Sequence, residues 1–347
     1  MNNFSKYVID KSSSVRDAIV KLDTLSGSGI LTLFVTDGKK MIGTLTDGDI
    51  RRYLIENESL NTSVVEIMKH DYCYIYQNEK NIQKIRDFRK AGIKLLPCID
   101  ENGILLKIYD LKQKKSVLPI DAVLMAGGKG ERLRPLTEKI PKPLLMVGEK
   151  SIIDYNVDNL IYYGVENIHV TTNYLAEQIE NHFKESRQGI IINCIREKKF
   201  NGTIASVKLI PEIKNDEVLV MNSDLFTNIN FEDFYCYFLE KKADMLIAAI
   251  PYSVNVPYGI FELDNGNIQG INEKPTYNYY ANAGIYLIKT YLLDYIQSDK
   301  FFDATDFIDL LISKNKKVIS YPLTGYWIDI GKITDYQKAQ EIAKHIG

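Results

Sequence analysis

Apolar residues recur along this chain with two different periods, and the change of period divides it. In Val15–Leu22, Val15, Ala18, Ile19 and Leu22 fall at helical spacing. Leu31–Thr36 then reads as a strand, Asp37-Gly38 as a turn, and Met41–Leu45 as a second strand. The same order returns downstream. Ile82–Lys90 reads as a helix, Lys94–Ile99 as a strand, Asp100-Glu-Asn-Gly103 as a turn and Ile104–Ile108 as a strand. A unit this short cannot bury its apolar face alone, so two copies, residues 1–60 and 61–118, are expected to pack on each other. A basic run from Lys112 followed by Pro119 marks the boundary with the rest of the chain, residues 119–347.

From residue 120 strands and helices alternate. Ala122–Met125 reads as a short strand ending in glycines. Ser151 can cap a helix reaching about Tyr163, with Gly164 just past its end. Ile168–Thr172, Ile190–Ile195 and Val218–Met221 read as strands, and Ala176–Phe183 as a helix. Asn230 can cap a helix with Phe231, Phe234, Tyr235 and Phe238 on one face. Such alternation predicts an α/β fold with a mostly parallel sheet between helices. Ligands then bind beyond the carboxyl ends of the strands. Asp264-Asn-Gly-Asn267, between Ile260–Leu263 and Ile268–Asn272, predicts a hairpin, so the sheet is mixed.

Composition narrows the picture by exclusion. Of 347 residues, 45% are hydrophobic and 25% charged, ordinary for a globular chain of two or three domains. Apolar runs such as Met245–Ile250 stop short of the ~18 residues a membrane span needs. Met1–Ser13 lacks an apolar secretory core. A cytoplasmic chain with no membrane partner is expected. Residues 1–118 hold 19 Lys and Arg against 15 Asp and Glu, and the remainder 24 against 30. Neither balance supports nucleic-acid binding. Cys73, Cys98, Cys194 and Cys236 form no CxxC, and His70, His169, His182 and His345 are isolated. Zinc is not expected, and the thiols read as small buried hydrophobes in a reducing compartment.

The chemistry concentrates in Leu124–Thr137 and Pro141–Leu144. Gly127, Gly128 and Gly130 follow the first strand, where glycine lets backbone N–H groups approach phosphate oxygens. Lys129, Arg132, Arg134 and Lys142 add positive charge within a short span. The Gly-Lys-Ser/Thr ending of a Walker loop is absent, and the spacing is not that of a dinucleotide loop.

These residues resemble the sugar-1-phosphate nucleotidyltransferase family. Its pattern is a G-G-x-G-x-R-L-x-P-L-T loop followed by P-K-P-L. Gly127, Gly128, Gly130, Arg132, Leu133, Pro135, Leu136, Thr137 and Pro141–Leu144 match, while Glu131 stands where the family often has Thr. Further matches are Val220–Asp224, Tyr326–Gly331, Asn201-Gly-Thr203, Tyr258-Gly259, Glu273-Lys-Pro275 and Asn282–Tyr286. The resemblance covers about two thirds of the chain. It implies a Rossmann-like (GT-A-type) fold and transfer of a nucleotidyl group from an NTP to a sugar-1-phosphate.

It also implies roles. Ala126, Gly127, Gly128, Lys129, Gly130, Gly202 and Thr203 would bind the nucleotide. Arg132 would hold the β- and γ-phosphates, and Lys142 would bridge the α-phosphate and the sugar phosphate. Asp224 and Asp329 would hold magnesium. Tyr258, Gly259, Glu273, Lys274 and Asn282 would line a sugar pocket. Asp224 alone would read as a turn residue, but its place at a strand end, with Asp329 in a second matching segment, reverses that. Lys274 either adds charge near the sugar phosphate or is a solvated hairpin lysine. The chemistry needs no strong base, because the attacking phosphate is already anionic; it needs alignment and charge neutralisation.

Some relatives read thymine or uracil with a glutamine five residues before the glycine of the nucleotide turn; counting back from Gly202 gives Glu197. A carboxylate only accepts hydrogen bonds, and guanine offers two adjacent donors, so GTP is expected. In the alternative, Glu197 is a solvated charge.

Gly43–Arg51 resembles the end of a CBS motif, and residues 1–118 resemble a CBS pair. Thr46 and Asp49 match positions that hold a nucleotide ribose, whereas Ile104–Leu111 lacks the threonine pattern. An adenine or guanine nucleotide effector is expected there, with a pure dimerisation platform as the equal alternative. A homo-oligomer is expected. A CBS pair joined to such a transferase resembles bacterial guanylyltransferases of nonulosonic (legionaminic-type) acid pathways, which activate glucosamine-1-phosphate or its N-acetyl form. Mannose-1-phosphate guanylyltransferase, or a thymidylyl- or uridylyltransferase, is the alternative in the same class. A non-catalytic regulatory subunit that senses sugar nucleotides is the alternative outside it.

Overall fold

The computed structural model describes residues 4–297 and 300–345. The chain forms two compact units, Met1–Pro119 with Ile161–Val165, and Ile120–Leu160 with Glu166–Gly347.

In the first unit the duplication is visible as topology. β1 (Val8–Asp10), α1 (Val15–Asp23), β2 (Thr32–Asp37) and β3 (Lys40–Thr46) form one strand–helix–strand–strand unit. After α2 (Asp47–Glu56) and α3 (Val64–Ile67), β4 (Ile75–Tyr76), α4 (Ile82–Lys90), β5 (Leu95–Ile99) and β6 (Leu105–Asp110) repeat it. In each, the first strand is parallel to the second and the second antiparallel to the third. Leu33, Phe34 and Leu45 of the first repeat share a core with Leu95, Ile99 and Leu105 of the second. The Ser14 hydroxyl accepts the Asp17 N–H while the Asp17 carboxylate accepts the Ser14 N–H, which fixes where α1 begins.

The second unit is built on β7 (Asp121–Ala126). Next come β8 (Met146–Val147), β9 (Lys150–Ser151), α5 (Ile152–Tyr162), β10 (Asn167–Thr172), α6 (Ala176–His182), β11 (Ile192–Arg196) and β12 (Glu217–Asn222). β13 (Leu225–Thr227), α7 (Phe231–Lys241), β14 (Met245–Asn255), β15 (Ile260–Asp264), β16 (Asn267–Asn272) and β17 (Thr276–Lys289) follow. The described chain continues through α8 (Ala304–Ser313), β18 (Val318–Pro322), β19 (Trp327–Asp329) and α9 (Ile333–Ala343). Seven strands make one sheet in the order β11-β10-β7-β12-β17-β14-β18. Only β17 runs against its neighbours. The sheet is mostly parallel, as the alternation predicts; it is mixed because of β17, and not because of the β15–β16 hairpin, which forms a two-stranded sheet of its own.

α7 shows how pattern becomes structure. The Asn230 side chain accepts the Glu232 and Asp233 N–H groups, and Phe231, Phe234, Tyr235 and Phe238 are buried on one face. Each such side chain contributes up to about 1.5–3 kcal/mol on leaving water. At α5 the local reading needs correction. Ile152 begins the helix, but the Ser151 hydroxyl caps nothing and is buried without a partner. Ser151 belongs to the β8–β9 ladder, and the Asp154 carboxylate accepts its N–H at 3.3 Å.

Three parallel strands, β10, β7 and β12, end side by side. β17 pairs with β12 only from Ile285 onward, so its earlier residues run past the carboxyl end of β12 together with the far half of β14. Among the described residues, no helix is long and apolar enough to cross a membrane.

Candidate active site

Beyond the carboxyl ends of β7 and β12 lies a cleft of about 420 Å³. The glycine loop forms one wall. β7 is buried almost throughout, so the chain leaves the core abruptly at Gly127. Each glycine has its own reason. A Cβ on Gly127 would lie 2.6 Å from Glu197 Oε1. Gly128 faces open space. Gly130 has φ +63°, and a Cβ there would press on Thr137 and Lys142 at 3.0–3.1 Å. The Thr137 hydroxyl donates to the Gly130 carbonyl at 2.8 Å and closes the loop. Ala126, Lys129, Glu131 and Arg132 complete this side of the cleft.

At one end of the cleft a cation meets two acids. Lys142 opens a short 3₁₀ turn after Pro141 and is only 8% exposed. Its ammonium contacts Asp224 Oδ2 and lies 3.5 Å from Asp329 Oδ1. Asp224 stands in the turn between β12 and β13, which is held from below. Ser223 donates its hydroxyl to the Met125 carbonyl at 2.7 Å, and Asn156 Nδ2 donates to the Ser223 and Leu225 carbonyls at 3.3 and 2.9 Å. Asp329 ends β19, which pairs with β13 so that Leu225 opposes Asp329. A residue 105 positions later in the chain is thereby set beside Asp224. Burial pushes the Asp329 carboxyl up, the Asp224 charge adds to that, and Lys142 and Arg132 oppose it. Arg132 packs its guanidinium over Gly331, where a Cβ would lie 3.3 Å from Nη2.

These residues fit a small divalent cation. Two carboxylates converge on one positive charge, and Asp224 Oδ1 is buried without a hydrogen-bond partner. Among the described residues no three His, Cys, Asp or Glu groups converge on a metal position. A cation held here would therefore take its remaining ligands from phosphate oxygens or water, as magnesium commonly does.

Glu197 follows β11, brings its carboxyl against the glycine loop at Gly127 and is only 4% exposed. Its backbone is fixed on both sides: its N–H donates to Thr172 at 2.8 Å, and Asn173 Nδ2 donates to its carbonyl at 3.0 Å. Burial pushes its carboxyl up to about 7, opposed only by a hydrogen bond from the Asn201 N–H. The solvated alternative is thus excluded by position. Gly202 has φ +98°, and a Cβ would lie 2.5 Å from the Phe302 carbonyl oxygen. Asp303 Oδ1 then accepts both the N–H and the hydroxyl of Thr203, at 2.8 and 3.1 Å. The turn that lines the cleft is clamped to the start of α8 by a residue that the sequence reading did not single out. A signal was present: in Asp303-Ala-Thr-Asp306, Asp306 accepts the Asp303 N–H at 3.0 Å, as the third residue of a capped helix does.

The candidate sugar residues do not join this cleft. Tyr258 and Gly259 precede β15, and Glu273 and Lys274 follow β16, so all four sit at the outer end of the β14–β17 ribbon. Glu273 Oε2 would be 2.9 Å from a Cβ on Gly259, so the two segments adjoin each other. Asn282 lies nearer, but its side chain donates to the Tyr286 hydroxyl and accepts the Gly284 N–H, both at 2.9 Å. The physical reason is the pairing of β14 with β17, which after an irregularity between Ile247 and Ala249 runs on regularly from Ala249↔Asn282 to Asn255↔Thr276 and leads the chain away to the hairpin. Gly284 at the base of the ribbon does adjoin the cleft, since a Cβ there would lie 2.5 Å from Asn222 Nδ2.

In the first unit Thr46 and Asp49 meet as the reciprocal cap of α2. The Thr46 N–H donates to Asp49 Oδ2 at 2.9 Å and the Asp49 N–H to Thr46 Oγ1 at 3.2 Å. Burial raises the Asp49 carboxyl, but its bonds from Thr46 and the nearby Lys69 more than offset this and lower it. Thr46 also lines a second cleft, of about 600 Å³, with Thr44, Asp47, Arg51, Lys69 and Lys94.

The family model described as nucleotidyl transferase matches residues 121–345. Bifunctional protein GlmU of Methanocaldococcus jannaschii is 32% identical over 230 residues, which cover 64% of this chain and 54% of that protein. Mannose-1-phosphate guanyltransferase beta-B of Xenopus laevis is 30% identical over 224 residues, 62% of each chain. The chain thus spans about half to three fifths of the length of these curated relatives. Among solved structures, HddC from Yersinia pseudotuberculosis superposes with a TM-score of 0.52 at 25% identity, covering 64% of this chain and 99% of that one.

Proposed function

From the premise that this chain belongs to the nucleotidyl transferase family, we propose that it transfers a nucleotidyl group from GTP to a sugar-1-phosphate and releases pyrophosphate. The observation that carries this reading is the Lys142 ammonium between Asp224 and Asp329, at the end of a cleft walled by Gly127–Gly130. Both reactants are polyanions, and such a site opposes their repulsion with fixed charge.

The chain's own residues do most of the work. Backbone N–H groups of the loop at Gly128 and Gly130 cradle phosphate oxygens, and Arg132 and Lys129 neutralise the leaving pyrophosphate. Lys142 sits where the α-phosphate and the sugar phosphate meet, and its short, buried turn keeps it aligned for in-line attack. Asp224 and Asp329 would hold magnesium, which supplies charge neutralisation at the reacting phosphorus. Glu197 accepts hydrogen bonds from N1–H and the 2-amino group of guanine, while Gly202 and Thr203 hold the nucleoside against it. The sugar acceptor is glucosamine-1-phosphate or its N-acetyl form, destined for a nonulosonic acid. Tyr258, Gly259, Glu273, Lys274 and Asn282 stay as sugar contacts only if the ribbon bends toward the cleft. Residues 1–118 are a CBS pair whose cleft at Thr46 takes a purine nucleotide that modulates the rate.

The test is a pyrophosphate-release assay across GTP, UTP, dTTP, CTP and ATP with several hexose-1-phosphates, in magnesium and in EDTA. Turnover is expected to be fastest with GTP and an amino or acetamido sugar phosphate, and to vanish in EDTA. A preference for a pyrimidine triphosphate would overturn the role of Glu197 but leave the transferase reading standing.

A further inference from the structure

The two acids at the end of the cleft come from distant segments, and neither segment is rigid by its own length. Asp224 lies in the turn between β12 and β13, and Asp329 ends the three-residue β19. Metal ligands work only when a surrounding shell fixes their orientation, so something has to hold both segments still.

The buried face of α5 carries the group that does so. Ile152, Ile153, Val157 and Leu160 are fully buried there, and Asn156 stands among them at 3% exposure. A buried amide has to find partners. Asn156 Nδ2 donates to three carbonyl oxygens, those of Ile152 at 3.4 Å, Ser223 at 3.3 Å and Leu225 at 2.9 Å. The first is one turn back on its own helix. The other two flank Asp224, one residue before it and one after. Leu225 is also the β13 residue that opposes Asp329 on β19. The Asp224 carbonyl in turn accepts the Ile330 N–H at 3.3 Å, next to Asp329. One amide therefore braces the turn that carries Asp224 and the strand against which Asp329 is set in register.

The residue type suits the task. Two carbonyls on one side call for two N–H donors, and a primary amide carries both on a single atom. A leucine of similar size has none. The same helix offers a contrast, for Asn159 Nδ2 donates to the Ile229 carbonyl at 3.4 Å, past the end of β13.

We infer that Asn156 is a positioning residue for the metal: through the Ser223 and Leu225 carbonyls it holds Asp224 and Asp329 in the arrangement that binds magnesium. This rests on the reading of those two acids as the metal ligands. Asn156 does not line the cleft, so it acts only through them.

Manganese titrated into the full chain, followed by the EPR signal of the free ion and without turnover, tests the inference and the reading separately. The Asp224→Asn chain gives the blank. Wild type is expected to bind a manganese ion that the blank does not. Asn156→Leu and Asn156→Ala are expected to bind it ~10–100-fold more weakly, the loss usual when a hydrogen bond supporting a ligand is removed. The magnesium concentration giving half the maximal rate of pyrophosphate release is expected to rise by a like factor. Asn159→Leu removes a bond from the same helix and is expected to change neither quantity. Circular dichroism shows which variants are folded, and Asn156→Ala, which only truncates the side chain, serves if Asn156→Leu is not. A wild-type chain that binds no more manganese than the blank would overturn the reading and the inference together. Folded Asn156 variants that bind as tightly as wild type would overturn the inference alone, as would an equal loss in Asn159→Leu.

Discussion

Lys142 shows what a single side chain contributes here. It is nearly buried, and two acids stand beside it. Asp224→Asn removes the closer partner and leaves the 3.5 Å contact to Asp329. Chemical denaturation is expected to register a loss of about 1–3 kcal/mol, and the reaction rate a loss of about 100–1,000-fold. Glu197 behaves in the opposite way, since among the described residues no cation is paired with it. Its folded pKa of about 7 lies above its ordinary 4.5, so the folded chain keeps this proton when the unfolded chain has lost it. The resulting stabilisation is complete below the unfolded value and is lost as pH rises through 7, in total on the order of 3 kcal/mol. Glu197→Gln is expected to flatten the pH dependence of unfolding between these values, and to shift the GTP-to-UTP rate ratio toward UTP by about 10-fold or more. An unchanged ratio would show that Glu197 does not face the base. Arg132, Lys142, Asp224 and Glu197 were legible because motif spacing fixes them. Asn156 was not, because an amide that braces a turn carries no local pattern of its own, and Asp303 showed only the spacing of a helix cap and not the distant turn it clamps.

Short elements bring the site together. β13 and β19 have three residues each, yet their pairing is what sets Asp329 beside Asp224. No alternation can be read in three residues, so the strand pair was invisible in the sequence even though both aspartates were not. β7 and β12 were legible for the opposite reason: they are buried on both faces and read as near-continuous apolar runs, while β10 showed itself by its β-branched Ile168, Val170, Thr171 and Thr172. The Gly202 turn has no room for a side chain. Gly202→Ala would place a methyl 2.5 Å from a backbone oxygen, in a left-handed conformation. It is expected to lower stability by about 2–4 kcal/mol and to raise the KM for the triphosphate. Gly128→Ala, with nothing within 4 Å, serves as the contrast: little change in unfolding, but weaker phosphate binding if its N–H group meets the ligand.

For the whole molecule, the alternation of strand and helix revealed the sheet, while its mixed order came from one inverted strand, β17, whose long apolar and tyrosine-rich run does not betray its direction. The repeat in residues 1–118 was legible through its helices and hairpins, but β1 and β4, of three and two residues, were not. Titration calorimetry on the full chain with ATP, AMP, GTP and GDP-sugar is expected to find a binding event that survives Asp224→Asn and disappears in Thr46→Ala, which opens the cap beside the second cleft. Silence at every nucleotide would leave that unit a scaffold. The central claim is that two acids distant in sequence and one lysine align a triphosphate with a sugar phosphate. Its most direct test is the initial rate of pyrophosphate release from GTP and glucosamine-1-phosphate, followed as magnesium is raised, for wild type and Asp329→Asn. The expected result is a saturable rise with magnesium in wild type and a rate at least ~100-fold lower in the variant at every concentration. A rate indifferent to magnesium, or a variant as fast as wild type, would contradict it.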